Sequence, residues 1–126
     1  MKISTADTYF SKCVKKAANN TCVVCGIQRD RMECSHIFSR KHRTIRWCKE
    51  NAVCKCHTCH RWWHENPTES GVWFIETYGQ GREDVLIEKK NTRIKVSKLE
   101  EKDIARHYRL ELELMEKGQI DFTSWQ

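Results

Sequence analysis

The chain has 126 residues, enough for one domain with a single core, and carries a formal net charge of +6. Its first ten residues lack the apolar segment and cleavage site of a signal peptide, and no apolar run approaches membrane-spanning length. We therefore expect a cytoplasmic protein with no membrane partner, in which eight cysteines favour metal binding over disulfides.

The first half of the chain predicts one helix followed by a small sheet and a second helix. Residues 5–18 have the period of an amphipathic helix, with lysines opposite its apolar side, and Asn19 and Asn20 end it. A short strand is predicted near 32–37, a second strand near 51–54, and a helix near 57–65. Pro67 stops this helix, because the residue before a proline is pushed out of the helical region.

The second half is predicted to be mainly helical. One helix ends at Gly79, another covers about 83–90, and a long one opens at the capping box of Ser97 and Glu100 and ends near Gly118. Residues 92–96 alternate, which fits either a short strand or an extended linker. The predicted class is α+β, with an N-terminal helix (1–19), a zinc-bound core (20–67) and a helical extension packed on that core (68–126).

Two CxxC pairs predict one structural zinc site. Four thiolates at this spacing suit a closed tetrahedral Zn²⁺ site. The predicted ligands are Cys22, Cys25, Cys56 and Cys59. Three alternatives remain: four reduced thiols that only pack in the core, Cys54 in place of Cys56, and a Cys₃His site in which His60 replaces Cys59 or Cys56.

The histidines around the second CxxC pair are spaced for a different role. His60 and His64 are four positions apart, so they share one face of the predicted helix. Two imidazoles one helical turn apart are suited to bind a divalent metal ion. His36 lies on the preceding strand, where it is a candidate general base.

The order His36, Asn51, His60, enclosed by the two CxxC pairs, resembles the HNH family of nucleases, whose core is the ββα-metal finger. Residues 34–46 are similar to short phage-encoded HNH proteins, and residues 51–60 resemble the family's second strand and helix start. The resemblance covers about residues 20–67, well under half of the chain.

This resemblance implies a DNA endonuclease that nicks one strand and leaves 5′-phosphate and 3′-hydroxyl ends, in the host cytoplasm if it is phage-encoded. The implied catalytic residues are His36 as general base, Asn51 as the holder of the base or its loop, and His60. Mg²⁺, Mn²⁺ or Ni²⁺ would bind His60 and also His64, which matches a ligand of the colicin-type nucleases. Ser35 occupies a position where the family often has a metal-binding Asp or His, so it is a weak candidate ligand.

Basic residues concentrate between the two predicted strands. From residue 38 to 55 there are six lysines and arginines against one acid, Glu50. We predict that this loop binds DNA phosphates. The predicted contacts are Arg40, Lys41, Arg43 and Arg46, of which Arg40 and Arg46 are the best suited to bidentate binding. An ordinary solvated loop is the alternative.

Two other functions fit part of the same pattern. A non-catalytic zinc module that recognises DNA or RNA would keep the cysteines and the basic loop, but would not need His36, Asn51 and His60 at this spacing. A zinc-ribbon adaptor for protein partners is the other, although a basic loop suits it poorly. The long C-terminal helix is a candidate homodimer interface or DNA clamp.

Overall fold

A computed structural model describes residues 1–92 and 94–126, and these residues form an α+β fold, as predicted. The described residues contain five helices and one two-stranded sheet. In chain order the elements are α1 (Thr5–Ala17), β1 (Glu33–His36), β2 (Ala52–Lys55), α2 (His57–Glu65), α3 (Pro67–Tyr78), α4 (Gln80–Lys90) and α5 (Lys98–Glu116), with a 3₁₀ turn over Lys49–Asn51.

Helix α1 begins at a capping box. The Ser4 hydroxyl accepts a hydrogen bond from the Asp7 amide at 3.2 Å, and the Asp7 carboxylate accepts from the Ser4 amide at 2.8 Å. The apolar side of the helix buries Phe10 and packs mainly against α5. The helix ends before Asn19 and Asn20, which both have φ of +51°, a conformation that asparagine tolerates better than most residues.

The sheet is a short antiparallel pair that leads directly into α2. Glu33 pairs with Lys55, and His36 pairs with Ala52. Because neighbouring strand residues point to opposite faces, Cys34 and His36 share one face, while Glu33 and Ser35 share the other. Cys56 follows β2 and caps α2, since its sulfur accepts a hydrogen bond from the Cys59 amide at 3.4 Å.

Three buried clusters hold these elements together. The largest joins α1 and α5 through aromatic side chains such as Phe10 and Tyr108. A second, centred on Phe74 and Leu86, lies under α3 and α4. The third is small and surrounds the two CxxC segments. Thus α1 and α5 share one core, which packs against the sheet, while α3 and α4 belong to a separate cluster.

Helix α5 contributes to this core on one side only. It buries Ile104, Tyr108 and Met115, and leaves Leu110 and Leu114 each 46% exposed. The homodimer through this helix therefore stays a prediction. Of the predicted strand or linker at 92–96, position 93 lies outside the described residues, and residues 94–96 belong to no helix or strand. No helix in the described ranges is long and apolar enough to cross a membrane.

Candidate metal and catalytic site

The four predicted zinc ligands come together in space. The sulfur atoms of Cys22, Cys25, Cys56 and Cys59 all lie within 4.8 Å of one another. The Cys25 and Cys56 sulfurs are 3.8 Å apart, close to the edge of about 3.8 Å expected of a tetrahedron with Zn–S bonds of about 2.3 Å. These four cysteines are thus positioned to hold one metal ion, as predicted, and the donor set fits structural zinc.

Local backbone geometry explains why the two CxxC segments meet. Gly26 has φ of +76°, which turns the chain back so that the Ile27 carbonyl accepts a hydrogen bond from the Cys22 amide at 2.8 Å. The Val23 amide donates to the Cys54 carbonyl at 2.9 Å, so the first CxxC segment is bound to β2. Cys56, and not Cys54, belongs to the sulfur cluster, which decides between those two candidates.

The predicted catalytic histidines line one open cleft. This cleft, which we call the histidine cleft, has a volume of about 880 Å³ and lies between α1, β1 and the exposed side of α2. His36 enters it from β1, and His60 and His64 enter it from α2. The sequence separates these residues by up to 28 positions, and the fold brings them to one surface.

His60 and His64 present adjacent nitrogen atoms. Their Nε2 atoms are 3.1 Å apart, and the two rings are 4.9 Å apart between centroids. Two nitrogen ligands about 2.1 Å from one ion are separated by about 3.0–3.4 Å when the angle at the ion is 90–109°. The pair therefore fits a shared divalent ion. Neither histidine belongs to the sulfur cluster, so the Cys₃His alternative is not observed.

Glu33 orients His60 and was not predicted. Its carboxylate lies 2.7 Å from His60 Nδ1 and 2.9 Å from His57 Nδ1. Burial alone would raise the pKa of Glu33, but its hydrogen bonds to His60 and His57 outweigh that effect and lower the pKa. A carboxylate on Nδ1 fixes the tautomer of His60 with Nε2 available as a ligand, an arrangement common beside protein-bound metals.

His36 is held as a neutral imidazole. Its Nε2 lies 3.0 Å from the Arg46 carbonyl oxygen. Because a carbonyl only accepts, Nε2 carries the proton and Nδ1 is the accepting nitrogen. Burial lowers the pKa of His36 from 6.5 to about 4. The ring is therefore in its proton-accepting form at neutral pH.

Asn51 fixes the loop between the strands. It is wholly buried; its side-chain oxygen accepts from the Phe38 amide at 2.8 Å, and its nitrogen donates to the carbonyls of Phe38 and Ile45 at 3.0 and 3.1 Å. These contacts support the prediction that Asn51 holds the loop and not the His36 ring itself. Ser35 is also wholly buried and does not line the histidine cleft, so the geometry gives no support to its predicted role as a metal ligand.

The position of Arg46 gives no support to its predicted contact with DNA. The side chain is only 5% exposed, and its guanidinium forms two hydrogen bonds to the Asp7 carboxylate, with Nε to Oδ1 at 2.9 Å. A buried cation needs such a partner, and Asp7 on α1 supplies it. Arg46 instead anchors the backbone whose carbonyl holds His36.

The other three predicted DNA contacts of the loop differ in the interactions that their side chains already make. Arg43 donates to the Glu101 carboxylate at 2.9 Å and to the Val96 carbonyl at 3.3 Å. Arg40 lines the histidine cleft, 3.6 Å from Asp7, and Lys41 is exposed but outside the cleft. Lys41 thus keeps its predicted availability, and Arg43 is occupied by α5. Arg40 is partly exposed in the cleft and forms a second ion pair with Asp7, a carboxylate that Arg46 already binds.

Comparison with known families supplies an independent finding. A family profile described as "Bacteriophage Lambda NinG protein" matches residues 3–118. The chain belongs to the NinG family. The match spans nearly the whole chain, including the thiol cluster and the histidine cleft, and supports a phage protein with a metal site. No curated protein and no solved structure gave a significant match to this NinG-family chain.

Sequence reasoning missed two residues of the site, Glu33 and Asp7. A partial indication of Glu33 was present, because it lies two positions before Ser35 and so shares a strand face with it. Nothing comparable indicated Asp7. Its local pattern shows only a helix cap, while its partner Arg46 is 39 positions away.

Proposed function

We propose that this NinG-family protein is a metal-dependent DNA endonuclease of the HNH type that nicks one strand by phosphodiester hydrolysis. The observation that carries the proposal is the meeting of His36, His60 and His64 in one cleft, with the His60 and His64 Nε2 atoms 3.1 Å apart. The order of two antiparallel strands followed by α2 supports a ββα-metal finger.

In this proposal His36 acts as the general base. Its accepting Nδ1 would take a proton from the attacking water, while the Arg46 carbonyl holds the other side of the ring. A neighbouring phosphate anion favours the imidazolium, so bound DNA would raise the low pKa of His36 and make it a stronger base. Asn51 would act indirectly, by fixing the loop that provides this carbonyl.

A divalent ion on His60 and His64, when bound, supplies charge neutralisation at the phosphate and at the leaving oxygen. The two side chains fit such an ion, and Glu33 would keep His60 oriented toward it. Mg²⁺, Mn²⁺ and Ni²⁺ are the candidates, distinct from the ion held by the four cysteines.

Nicking of supercoiled plasmid tests this proposal. Purified protein with one equivalent of zinc is assayed with Mg²⁺, Mn²⁺ or Ni²⁺, beside His36→Ala and the control His107→Ala, at a partly buried histidine outside the histidine cleft. Loss of a general base reduces the rate by about 10²- to 10⁴-fold. We expect His36→Ala to lose that activity while keeping its metals, His60→Ala to lose the exchangeable metal, and Glu33→Gln to bind that metal about 10- to 100-fold more weakly.

The rival function is a non-catalytic zinc module that binds nucleic acid, which the four-cysteine cluster alone would support. It predicts DNA binding without nicking under any of these metals. It also predicts no difference in DNA affinity between His60→Ala and wild type when divalent metals are added. Equal nicking by His36→Ala and wild type would instead eliminate His36 as the base.

A further inference from the structure

We propose that DNA lies along α1 in the histidine cleft and that Lys12 and Lys15 bind its phosphates together with Arg40. This deepens the proposed function, because it takes the same cleft as the place where DNA is bound. It relocates the main phosphate contacts from the loop between the strands to the N-terminal helix.

Helix α1 forms one wall of the histidine cleft. Its buried side, which includes Phe10 and Val14, faces the core. Along another side, four polar residues line the histidine cleft, at the spacing of one helical stripe. They are Thr8, Ser11, Lys12 and Lys15. One wall of the cleft is therefore a polar and basic helix face.

The lining of the histidine cleft has lysines that are not paired with any acidic residue that the structure describes. Its two acidic residues, Asp7 and Glu33, are occupied by Arg46 and by the histidines of α2, respectively. Lys12 and Lys15 form no ion pair with any residue in the described ranges. The cleft thus offers cations whose charge is not compensated locally, on the wall facing the candidate metal ligands.

The length of the basic wall suits a nucleic-acid backbone. Arg40 lies beside Asp7 in the first turn of α1, and Lys15 lies eight residues farther along the helix. At 1.5 Å per residue this separation is about 12 Å. One strand of duplex DNA has a phosphate every ~3.4 Å along its axis, so the wall spans about three phosphates. His36 enters the same cleft from the adjoining strand.

Lys16 provides a matched control on the same helix. It is exposed, belongs to the last turn as Lys15 does, and does not line the histidine cleft. Glutamine is a good helix former, so Lys→Gln removes the charge at each position with little effect on the helix. General loss of charge is the same for each single variant, and only the position relative to the cleft differs.

The test is equilibrium binding of a fluorescent 20-base-pair duplex, measured by anisotropy at several salt concentrations without added divalent ions. The zinc-loaded wild type is compared with the single variants Lys15→Gln and Lys16→Gln and with the double variant Lys12→Gln/Lys15→Gln. Each lost phosphate contact reduces the slope of log K against log salt by about 0.9, so Lys15→Gln should lose about 0.9 and the double variant about 1.8. Lys16→Gln should keep the wild-type slope.

Plasmid nicking with added divalent metal, run in parallel, separates this inference from the proposed function. If wild type nicks DNA but the double variant and Lys16→Gln have the same slope, the α1 wall is not the binding surface and the nuclease proposal stands. If the slope falls as expected but no protein nicks, the binding surface stands and the nuclease proposal fails. Absence of measurable duplex binding by wild type at low salt overturns the inference.

Discussion

The α1–α5 region and the CxxC region are stabilised in different ways. In the first, α1 and α5 bury a large apolar cluster that includes Phe10 and Tyr108. In the second, the buried cluster around the CxxC segments is small, and two of its members, Cys22 and Cys56, are positioned to bind a metal ion. None of the nine residues of α2, all of them described, is fully buried.

This difference indicates what holds the functional groups in place. Because α2 buries so little, we expect its position to depend on an ion held by Cys56 and Cys59, together with the His60–Glu33 hydrogen bond and the packing of Trp63 on α3. His36 belongs to the opposite case, since it is anchored through Arg46 to α1. The candidate site therefore joins a helix positioned in part by candidate metal ligands to a histidine positioned by a packed core.

The largest expected effect is the loss of the structural ion. Cys59→Ser should give unfolded or insoluble protein, because structural zinc contributes on the order of 10 kcal/mol to the folding of small modules. Circular dichroism and zinc content measured by mass spectrometry would check this. Cys48→Ala is the control, since Cys48 is buried but outside the sulfur cluster, and should stay folded with one zinc per chain. A folded Cys59→Ser protein with zinc bound would refute the dependence of α2 on this ion.

A cavity in the apolar cluster between α1 and α5 should have the next largest effect on stability. Phe10 is 1% exposed, and its ring packs 4.9 Å from that of Tyr108. Phe10→Ala should lower the free energy of unfolding by about 3–5 kcal/mol, and the protein should still bind one zinc in the absence of denaturant. Urea titration measures the loss, with Val72→Ala, at a 53% exposed site, expected to change it by less than about 0.5 kcal/mol.

Local patterns predicted α2 and the thiol cluster well. Helix α2 runs from His57 to Glu65 as expected, because Cys56 caps it and Pro67 stops it. The CxxC spacing identified the four cysteines, since each pair is close in sequence. Helix α4 begins at Gln80, earlier than predicted, because Gly79 at φ of +89° ends α3 and allows the next helix to start at once.

The rest of the site depends on distant contacts that no local pattern contains. Arg46 lies in a basic segment of the kind that binds phosphates, but in the fold it is buried and paired with Asp7, 39 positions away in the sequence. Sequence periodicity placed Lys12 and Lys15 on the polar side of α1, yet only the packing of α1 beside β1 makes that side a wall of the histidine cleft. Periodicity identifies a polar face, and tertiary structure decides what that face meets.

Lowering the pH should reduce the free energy of unfolding through His36, which lies where the two regions meet. Burial lowers its folded pKa to about 4 from an unfolded value of 6.5, so its stabilising contribution is complete above pH 6.5 and is lost as the pH falls toward 4. Between pH 7 and pH 5 this residue should account for about 2 kcal/mol of lost stability. His36→Gln keeps a donor for the Arg46 carbonyl but cannot titrate in this range.

The measurement is the difference in urea stability between wild type and His36→Gln at the two pH values. Acid effects on the thiol cluster are common to both proteins and cancel. A wild type that loses no more stability than His36→Gln would show that the imidazole titrates normally and that His36 is not held in a desolvated environment.

The smallest effect is expected where α5 meets the loop between the strands. Arg43 and Glu101 form an ion pair at 2.9 Å, but the Arg43 side chain is 34% exposed, so solvent screens the interaction. A double-mutant cycle with Arg43→Gln and Glu101→Gln should give a coupling energy of about 0.2–1 kcal/mol that decreases in 1 M salt.

The buried Asp7–Arg46 pair should behave differently, because loss of one partner there should lower the free energy of unfolding by about 3–5 kcal/mol. A coupling energy above about 2 kcal/mol for Arg43 and Glu101 would mean that α5 also fixes the loop electrostatically, and the position of His36 would then depend on α5 as well as on α1.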